Sequence, residues 1–427
     1  MLGVCLVAMA VHSAWAEDAP LRLASSAALR ATVFGPPPQA LAALPETVPM
    51  EELDFAIEGG LPVPELYWFN RRLRAYLSVQ PQEAPLAIVI SGTGGTADTQ
   101  KLRLFRRALY GAGYHVLTLP SPTSPGFIVA ASSTGVAGEL RQDGMDMHRV
   151  IRQIVPRLRE RMPVSAIHVL GYSLGGAHAA LVKAIDDQTG AIGIGRAVLV
   201  NPPVNLYNAV NRLDELLSLS VGNGDEDFER LYRELYTELA HAYVLGDATQ
   251  VDQDLLFAAV AQVLRSDRER AAGIALVFRL SLIDMFLAGD IYSGAGVLTE
   301  PGRPPGVSES LVPVMYAARN KTFQDYFVQV LAPYYLMRRP GATLASLIAD
   351  SHLRVIESTL TENRDYYVQT NRDELILDGE DLAWLQGVFG TRLALYDHGG
   401  HMGNFGEREQ INDMLDMLAG RFGNDTP

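Results

Sequence analysis

The residues best suited to chemistry lie in one short stretch, Gly171-Tyr-Ser-Leu-Gly175, with Ser173 at its centre. An apolar run ends just before this stretch and a helix pattern of small residues follows it, so the sequence predicts a strand, a tight turn and a helix. A G-x-S-x-G motif in that setting is typical of a nucleophile elbow, which holds a serine hydroxyl at the open end of a sheet. The alternative is an ordinary glycine turn, since the chain contains 38 glycines.

A serine hydroxyl is a poor nucleophile until a base removes its proton, and the usual base is histidine. Two histidines, His398 and His401, lie in a glycine-rich loop that follows the last predicted strand. We favour His401, because the glycines before it let the loop curl back over the edge of the sheet. His398 lies too close to the end of the strand to reach the serine as easily.

A carboxylate must orient that histidine and stabilise its charged form. Where a nucleophile elbow is present, the acid comes between the serine and the histidine in the chain. Asp373 lies a few residues beyond the strand predicted at residues 366–369, so we predict the acid there. Glu374, Asp378 and Asp381 are the alternatives, and a solvated acidic loop is the interpretation without catalysis.

The negative charge that develops in acyl transfer needs two backbone N–H donors. We expect one from Leu174, directly after the serine, and the other from Thr93 or Gly94, in the glycine-rich turn after the strand at residues 86–90. A phosphate-binding loop is the rival interpretation of that turn, but neither G-K-[ST] nor G-x-G-x-x-G is present. No spacing of side chains indicates a metal site, and we expect no cofactor.

Strands and helices alternate over the first half of the chain, which predicts a mostly parallel sheet covered by helices. The lead-in, residues 17–50, is rich in Ala, Pro and Leu and is expected to be loosely structured, and residues 120–134 are expected to form a long loop. The predicted strands are 52–58, 73–80, 86–90, 115–119, the strand that ends at the elbow, and 197–201; the predicted helices are 99–112, 136–162 and the helix that begins at the elbow.

The alternation stops over residues 206–362, where apolar spacing predicts helices almost throughout. The clearest are 228–244, 251–264, 274–287 and 323–337, the last kinked or split at Pro333. Alternation resumes with a strand at 366–369, a helix at 381–389, a strand at 392–396 and a helix at 407–418. We therefore predict a sheet domain in two parts, residues 17–205 and 363–427, interrupted by a helical insertion at residues 206–362.

Composition and charge restrict the partners. The 427 residues are 48% hydrophobic and carry a net charge of −14, which suits a large folded core and makes nucleic acid an unsuitable partner. Residues 1–16 have no charged side chain and end in Ala14-Trp-Ala16, which predicts a signal peptide cleaved after Ala16 and a periplasmic or secreted protein. Cys5, the only cysteine, would leave with that segment; a lipoprotein is the weaker interpretation, because Val4 is not a small residue.

These motifs together resemble the α/β-hydrolase superfamily. The resemblance rests on Gly171-Tyr-Ser-Leu-Gly-Gly176, the Ser91-Gly-Thr-Gly-Gly95 turn, Asp373 and Gly400-His401, and covers residues 84–205 and 363–420. It implies the α/β-hydrolase fold, with Ser173, Asp373 and His401 as nucleophile, acid and base, and with the insertion in the position of a cap or lid. Many lipase-like members have His-Gly where this chain has Ser-Gly-Thr-Gly-Gly.

Three functions fit this sequence. The first is hydrolysis of a carboxylic ester or thioester, with a small-molecule or lipid-like acyl substrate suited to an apolar lid. The second is amide or peptide hydrolysis, for which the acidic run at residues 225–229 would bind a free amine; such a run is more often a solvated helix start. The third is a binding or envelope scaffold protein without catalysis. The presence of a serine, an acid and a histidine argues against it, because such a protein does not need all three. Membrane contact is open.

Overall fold

The computed structural model describes residues 22–221, 229–230, 233–234, 237, 261 and 264–423. Its centre is a single eight-stranded sheet with the strand order β1-β2-β4-β3-β5-β6-β7-β8. The strands are β1 (Glu51–Phe55), β2 (Leu73–Ser78), β3 (Ala84–Ile90), β4 (His115–Leu119), β5 (Val164–Tyr172), β6 (Ile194–Val200), β7 (Tyr366–Asn371) and β8 (Leu393–Tyr396). β2 runs antiparallel to both of its neighbours, and all other pairs are parallel.

Helices cover both faces of this sheet. In chain order they are α1 (Ser26–Phe34), α2 (Gln100–Gly111), α3 (Pro125–Ala131), α4 (Leu140–Arg159), α5 (Leu174–Thr189), α6 (Leu206–Val221), α7 (Asp267–Ser293), α8 (Val312–Ala318), α9 (Phe323–Tyr326), α10 (Ala332–Arg338), α11 (Leu344–Asp350), α12 (Glu357–Glu362), α13 (Gly379–Phe389) and α14 (Arg408–Ala419). The predicted fold class, a mostly parallel sheet with flanking helices and a helical segment before the last two strands, is confirmed.

The continuous apolar run of β3 has a direct structural cause. Leu86, Ile88 and Ile90 pack into the core on one face of the sheet, whereas Ala87 and Val89 pack into the core on the other. Alternate residues of a strand point to opposite faces, so a strand covered on both sides must be apolar throughout. β3 therefore lies at the centre of the sheet, between β4 and β5.

The chain order reverses on either side of β3, and this reversal fixes the place of the site. β3 connects to β4 on one side, and the chain then crosses to β5 on the other side. A crevice forms at the carboxyl ends of such strands, where ligands of open α/β sheets bind. The turn after β3 and the elbow after β5 meet there.

Two predicted loops contain helices. The lead-in forms α1, whose Ala28 and Leu29 are fully buried, and residues 120–134 contain α3. Both helices begin at a serine that caps the first turn: Ser25 accepts the Ala28 N–H, and Ser124 accepts the Phe127 N–H. Each is stabilised by tertiary packing rather than by its own length, since helices of seven or nine residues are marginal alone.

Helices also occupy the described parts of the predicted insertion, between β6 and β7. The predicted helix at residues 323–337 is interrupted by a π-helical turn, Phe327–Leu331, just before Pro333; proline has no N–H to donate and crowds the carbonyl one turn earlier. The helices predicted at 228–244 and 251–264 lie largely outside the described residues, as does most of the acidic run at 225–229. The division into domains stays a prediction.

One described helix, α7, is long and apolar enough by length and composition to cross a membrane. Its most apolar part is 78% buried inside the protein, where α7 packs against α1, α3 and α6. This burial is what a central helix of the insertion requires, so the hydropathy of α7 has a sufficient explanation in packing.

Candidate active site

Ser173 lies at the turn between β5 and α5 with φ 52° and ψ −131°, a conformation that a non-glycine residue seldom adopts. The two flanking glycines make this turn possible. A Cβ on Gly171 would collide with the carbonyl group of Gly175, and a Cβ on Gly175 would collide with the carbonyl of Ile90 in β3. The Ser173 N–H donates to the carbonyl of Val200 at 2.8 Å, which fixes the turn to β6.

His401 lies beside this serine. Its Nε2 is 3.0 Å from Ser173 Oγ, and both residues are 6% exposed. The loop after β8 carries His401 to the serine, whereas His398 in the same loop is exposed. The structure thus brings together the predicted nucleophile and the predicted base.

The carboxylate that contacts His401 is Glu374, not Asp373. His401 Nδ1 donates to Glu374 Oε1 at 2.8 Å, so Nε2 is the nitrogen left to accept the serine proton. The other Glu374 oxygen accepts from Asn201 Nδ2 at 2.6 Å, and Oε1 also accepts the Leu375 N–H at 2.8 Å. A buried carboxylate surrounded by donors in this way is held in one orientation.

Asp373 has a different place, which corrects the prediction made for it. Its Oδ1 accepts the Gly400 N–H at 2.8 Å, and its Oδ2 has no hydrogen-bond partner. Burial is the main cause that raises the pKa of this carboxyl. β7 ends at Asn371, and the turn that follows breaks the two-residue alternation of the strand, so the residue that faces the histidine depends on the turn and not on spacing.

The amide side chain of Asn371 completes the support of the histidine loop. Asn371 Nδ2 donates to the carbonyl of Gly400 at 2.7 Å, and its Oδ1 accepts from Asn404 Nδ2 at 2.7 Å. A Cβ on Gly399 would collide with both amide groups. Gly399 therefore lets the loop lie against them, and the loop is held from the carboxyl end of β7.

The predicted oxyanion donors lie in two turns, the elbow at Ser173 and the turn after β3. Leu174 is the first residue of α5, where an N–H has no acceptor within its own helix and the helix dipole favours negative charge. Of the two candidates after β3, the Gly94 N–H already donates to Thr123 Oγ1 at 2.8 Å. Thr93 is therefore the better candidate for the second donor, and Thr93 and Leu174 line the same cavity.

Helix α7 covers this arrangement. The ring of Phe278 lies 5.7 Å from the ring of His401, and a Cβ on Gly94 would approach Ser281 at 3.1 Å. Met285, one turn further along, lines the cavity. The insertion thereby shields the serine and histidine from bulk water, which strengthens their electrostatic interactions.

A cavity lies between the carboxyl ends of the strands and the helices that join β6 to β7; its empty space, part of it open solvent, is ≈ 690 Å³. Its surface is mainly apolar. The apolar lining side chains are Leu140, Leu174, Leu206, Val210, Met285, Phe323, Tyr326, Phe327, Leu331 and Leu347. Among the described lining residues one is charged, Glu139, and its carboxylate is paired with Arg339 at 3.0 Å.

Two buried tyrosines bond the helices between β6 and β7 to the loop before α4, beside this cavity. Tyr326 donates its hydroxyl proton to the carbonyl of Ala137 at 2.7 Å, and Tyr335 donates to the carbonyl of Val136 at 3.1 Å. Burial raises the pKa of both hydroxyls, so both keep the proton that these bonds need.

No group of three or more His, Cys, Asp or Glu side chains suited to a metal occurs among the residues the structure describes.

Comparison with known proteins gives likenesses in solved structures only. A hyperthermophilic esterase from the archaeon Pyrobaculum calidifontis is 14% identical, with 95% of this chain and 87% of that chain covered and a TM-score of 0.37. A thermostable carboxyl esterase from Bacillus coagulans is 13% identical, with 88% and 99% covered and a TM-score of 0.39. A peroxisomal alpha-beta-hydrolase from Saccharomyces cerevisiae is 11% identical, with 90% and 92% covered and a TM-score of 0.42.

No family model and no curated protein sequence matches the chain. At these identities and TM-scores the likenesses do not indicate the activity of this chain. The α/β-hydrolase fold of this chain follows from its own strand order and from the elbow between β5 and α5.

Proposed function

We propose that this protein is a serine hydrolase that cleaves a carboxylic ester or thioester through an acyl-enzyme on Ser173. One observation carries the proposal: a continuous line of hydrogen bonds runs from Ser173 Oγ through the His401 ring to Glu374, at 3.0 and 2.8 Å, on a strained elbow. Strain of this kind persists only where the surrounding structure imposes it, and it is concentrated at functional sites.

The geometry supports the following sequence of steps. Ser173 Oγ attacks the carbonyl carbon of the substrate while His401 Nε2 takes its proton, and Glu374 stabilises the imidazolium that forms. The oxyanion lies near the N–H groups of Leu174 and Thr93. His401 then gives the proton to the leaving oxygen or sulfur, and the acyl group stays on Ser173. Water, deprotonated by the same nitrogen, attacks the acyl-enzyme and restores Ser173.

The apolar lining of the cavity supports an ester with an apolar acyl or alcohol group. Each buried methylene contributes about 0.8 kcal/mol of transfer free energy, so kcat/KM should rise with chain length until the cavity is full. The buried Glu139 carboxylate is already paired with the partly exposed Arg339, which suits a neutral substrate.

The test is labelling with a fluorophosphonate together with hydrolysis of p-nitrophenyl esters of graded chain length. We expect wild-type protein to label and turn over, Ser173→Ala to do neither, and His401→Ala to lose about 10³-fold or more in kcat. His398→Ala is the matched control, because it removes an exposed imidazole from the same loop. A folded wild type that neither labels nor hydrolyses any ester contradicts the proposal, and p-nitroanilides of the same acyl groups test the amide alternative.

We further propose that the protein is exported, with cleavage after Ala16. The apolar, uncharged residues 1–16 and the Ala14-Trp-Ala16 pattern support this. In a bacterial host that expresses the whole sequence, we expect a periplasmic or secreted product whose mass begins at Glu17. A cytoplasmic product that retains Met1 contradicts it.

A further inference from the structure

We infer that Thr32, on the N-terminal helix α1, is a positioning residue for His401. The Thr32 hydroxyl oxygen accepts the backbone N–H of His401 at 2.9 Å, and the hydroxyl proton is donated to the carbonyl of Ala28 at 2.8 Å. One side chain, 369 residues earlier in the chain, thus holds the main chain of the base. The inference rests on the proposed function, since it assigns a role in the same site.

The histidine loop fits against α1 at two further points. A Cβ on Gly400 would collide with the carbonyl of Ala28 and with the Thr32 hydroxyl, and a Cβ on Gly403 would collide with the main chain of Ala31. The glycines on either side of His401 therefore let the loop lie directly on the helix backbone. Only at this distance can the Thr32 hydroxyl reach the His401 N–H.

Helix α1 is itself held in place, so it can act as a fixed support. Leu29 is fully buried in the core, and the Ser25 hydroxyl caps the first turn by accepting the Ala28 N–H at 3.1 Å. α1 also packs against α7, the helix whose Phe278 lies against the His401 ring. The backbone and the ring of His401 are thus supported from two connected helices.

Fixing the backbone matters because the imidazole must stay within reach of both Ser173 and Glu374 through the reaction. Without an acceptor, the buried His401 N–H is left unsatisfied, and relief of that cost favours displacement of the loop. A displacement of about 1 Å in a catalytic group lowers rates by about 10²-fold. Thr32 is not among the described residues that line the cavity, so substrate affinity should be almost unaffected.

The variants Thr32→Val and Thr32→Ser test the inference in the full chain. Valine keeps the shape and removes the acceptor, so kcat should fall about tenfold or more while KM stays within about twofold. Serine keeps the hydroxyl and should restore kcat to near the wild-type value. Arg30→Ala is the matched control on the same helix, since it removes an exposed side chain and keeps the acceptor.

The outcomes separate position from stability. A Thr32→Val variant with wild-type kcat overturns the inference, and so does an Arg30→Ala variant that loses as much kcat as Thr32→Val. Hydrogen–deuterium exchange of the peptide 397–405 gives a readout without substrate: exchange should rise in Thr32→Val and not in Thr32→Ser. If the wild type neither labels nor hydrolyses esters, the proposed function fails. The exchange result alone then confirms or overturns Thr32 as the residue that holds the main chain of His401.

Discussion

Two consecutive carboxylates, Asp373 and Glu374, contribute differently to the site. Glu374 bonds the ring of His401, whereas Asp373 bonds the main chain of the loop that carries it. The sequence predicts that an acid lies after β7, and the structure places one there. It does not predict which of two neighbours faces inward, because the turn at residues 372–373 decides the direction of each side chain.

Substitution of the two carboxylates should therefore give unequal losses. Glu374→Gln removes the charge that stabilises the imidazolium and lets the amide favour the wrong tautomer, so kcat should fall by about 10³- to 10⁴-fold. Asp373→Asn keeps an oxygen that can accept the Gly400 N–H, so its loss should be below about tenfold. Steady-state kinetics with one ester measures both. Equal losses would show that the carboxylates act as a pair.

The buried imidazole of His168 should make the free energy of unfolding depend on pH. His168 is 6% exposed in β5, and its Nδ1 accepts the Arg196 N–H at 3.1 Å. Burial, with the positive charges of Arg196 and Lys183, lowers the pKa of this imidazole to about 4. The unfolded chain binds the proton near pH 6.5, so between pH 6.5 and 4 it holds more protons than the folded chain.

The free energy of unfolding should therefore fall as the pH drops through this window, by up to about 1.4 kcal/mol per pH unit from His168. His168→Gln removes the titration and should make that slope smaller. Urea unfolding at pH 6.5, 5.5 and 4.5 measures the slope, with His398→Gln as a control at an exposed histidine. An unchanged slope in His168→Gln contradicts the prediction.

At the scale of elements, the strands were predictable and the short helices were not. Apolar runs place β3 to within two residues and β4 at its observed bounds, because burial on both faces leaves little choice of residue. The helix α1 was missed because its Ala-rich, proline-flanked segment has little periodic signal, and its stability comes from the histidine loop and α7. The serine caps of α1 and α3, with Pro125 at the first position of α3, were the local signals.

The elbow should not tolerate a side chain at Gly175. Gly175→Ala would place a methyl group against the carbonyls of Ile90 and Ser91, at the end of β3. The end of β3 cannot move away without disrupting the sheet. We expect a loss of about 3 kcal/mol or more in unfolding free energy, or failure to fold. Thermal and urea unfolding measure it.

Gly387→Ala is the matched control for that substitution. Gly387 lies inside α13, and a Cβ there meets nothing within 4 Å. Alanine should raise the unfolding free energy by about 0.5–1 kcal/mol, because it favours the helix. A Gly175→Ala variant as stable as Gly387→Ala would show that the elbow has more room than the structure gives it.

At the scale of the whole molecule, distant parts of the chain meet at one site. The proposed nucleophile lies at the end of a central strand, and the proposed base lies in the loop after β8. The residue that we infer to position this base lies on α1, and α7 covers the pair. Spacing along the sequence does not report such contacts, which explains why the elbow was predictable from a local motif and the support of His401 was not.

Truncation should reveal this dependence. A chain that begins at residue 17 keeps α1 and should retain activity and melting temperature. A chain that begins at residue 36 loses the buried side chains of Ala28 and Leu29 and the Thr32 hydroxyl. We expect it to be at least about 2 kcal/mol less stable and to lose most of its kcat. Full activity of the shorter chain would contradict the assembly described for this site.

The bonds from Tyr326 and Tyr335 have a consequence for how this protein changes over generations. Both hydroxyls bond to carbonyl oxygens of the main chain, at Ala137 and Val136, and every amino acid offers that oxygen. Mutation of the loop side chains can therefore accumulate without a matching mutation in the insertion. Only the two tyrosines and the path of the loop must be conserved to keep these bonds. The side chains that line the cavity between the loop and the helices can therefore vary.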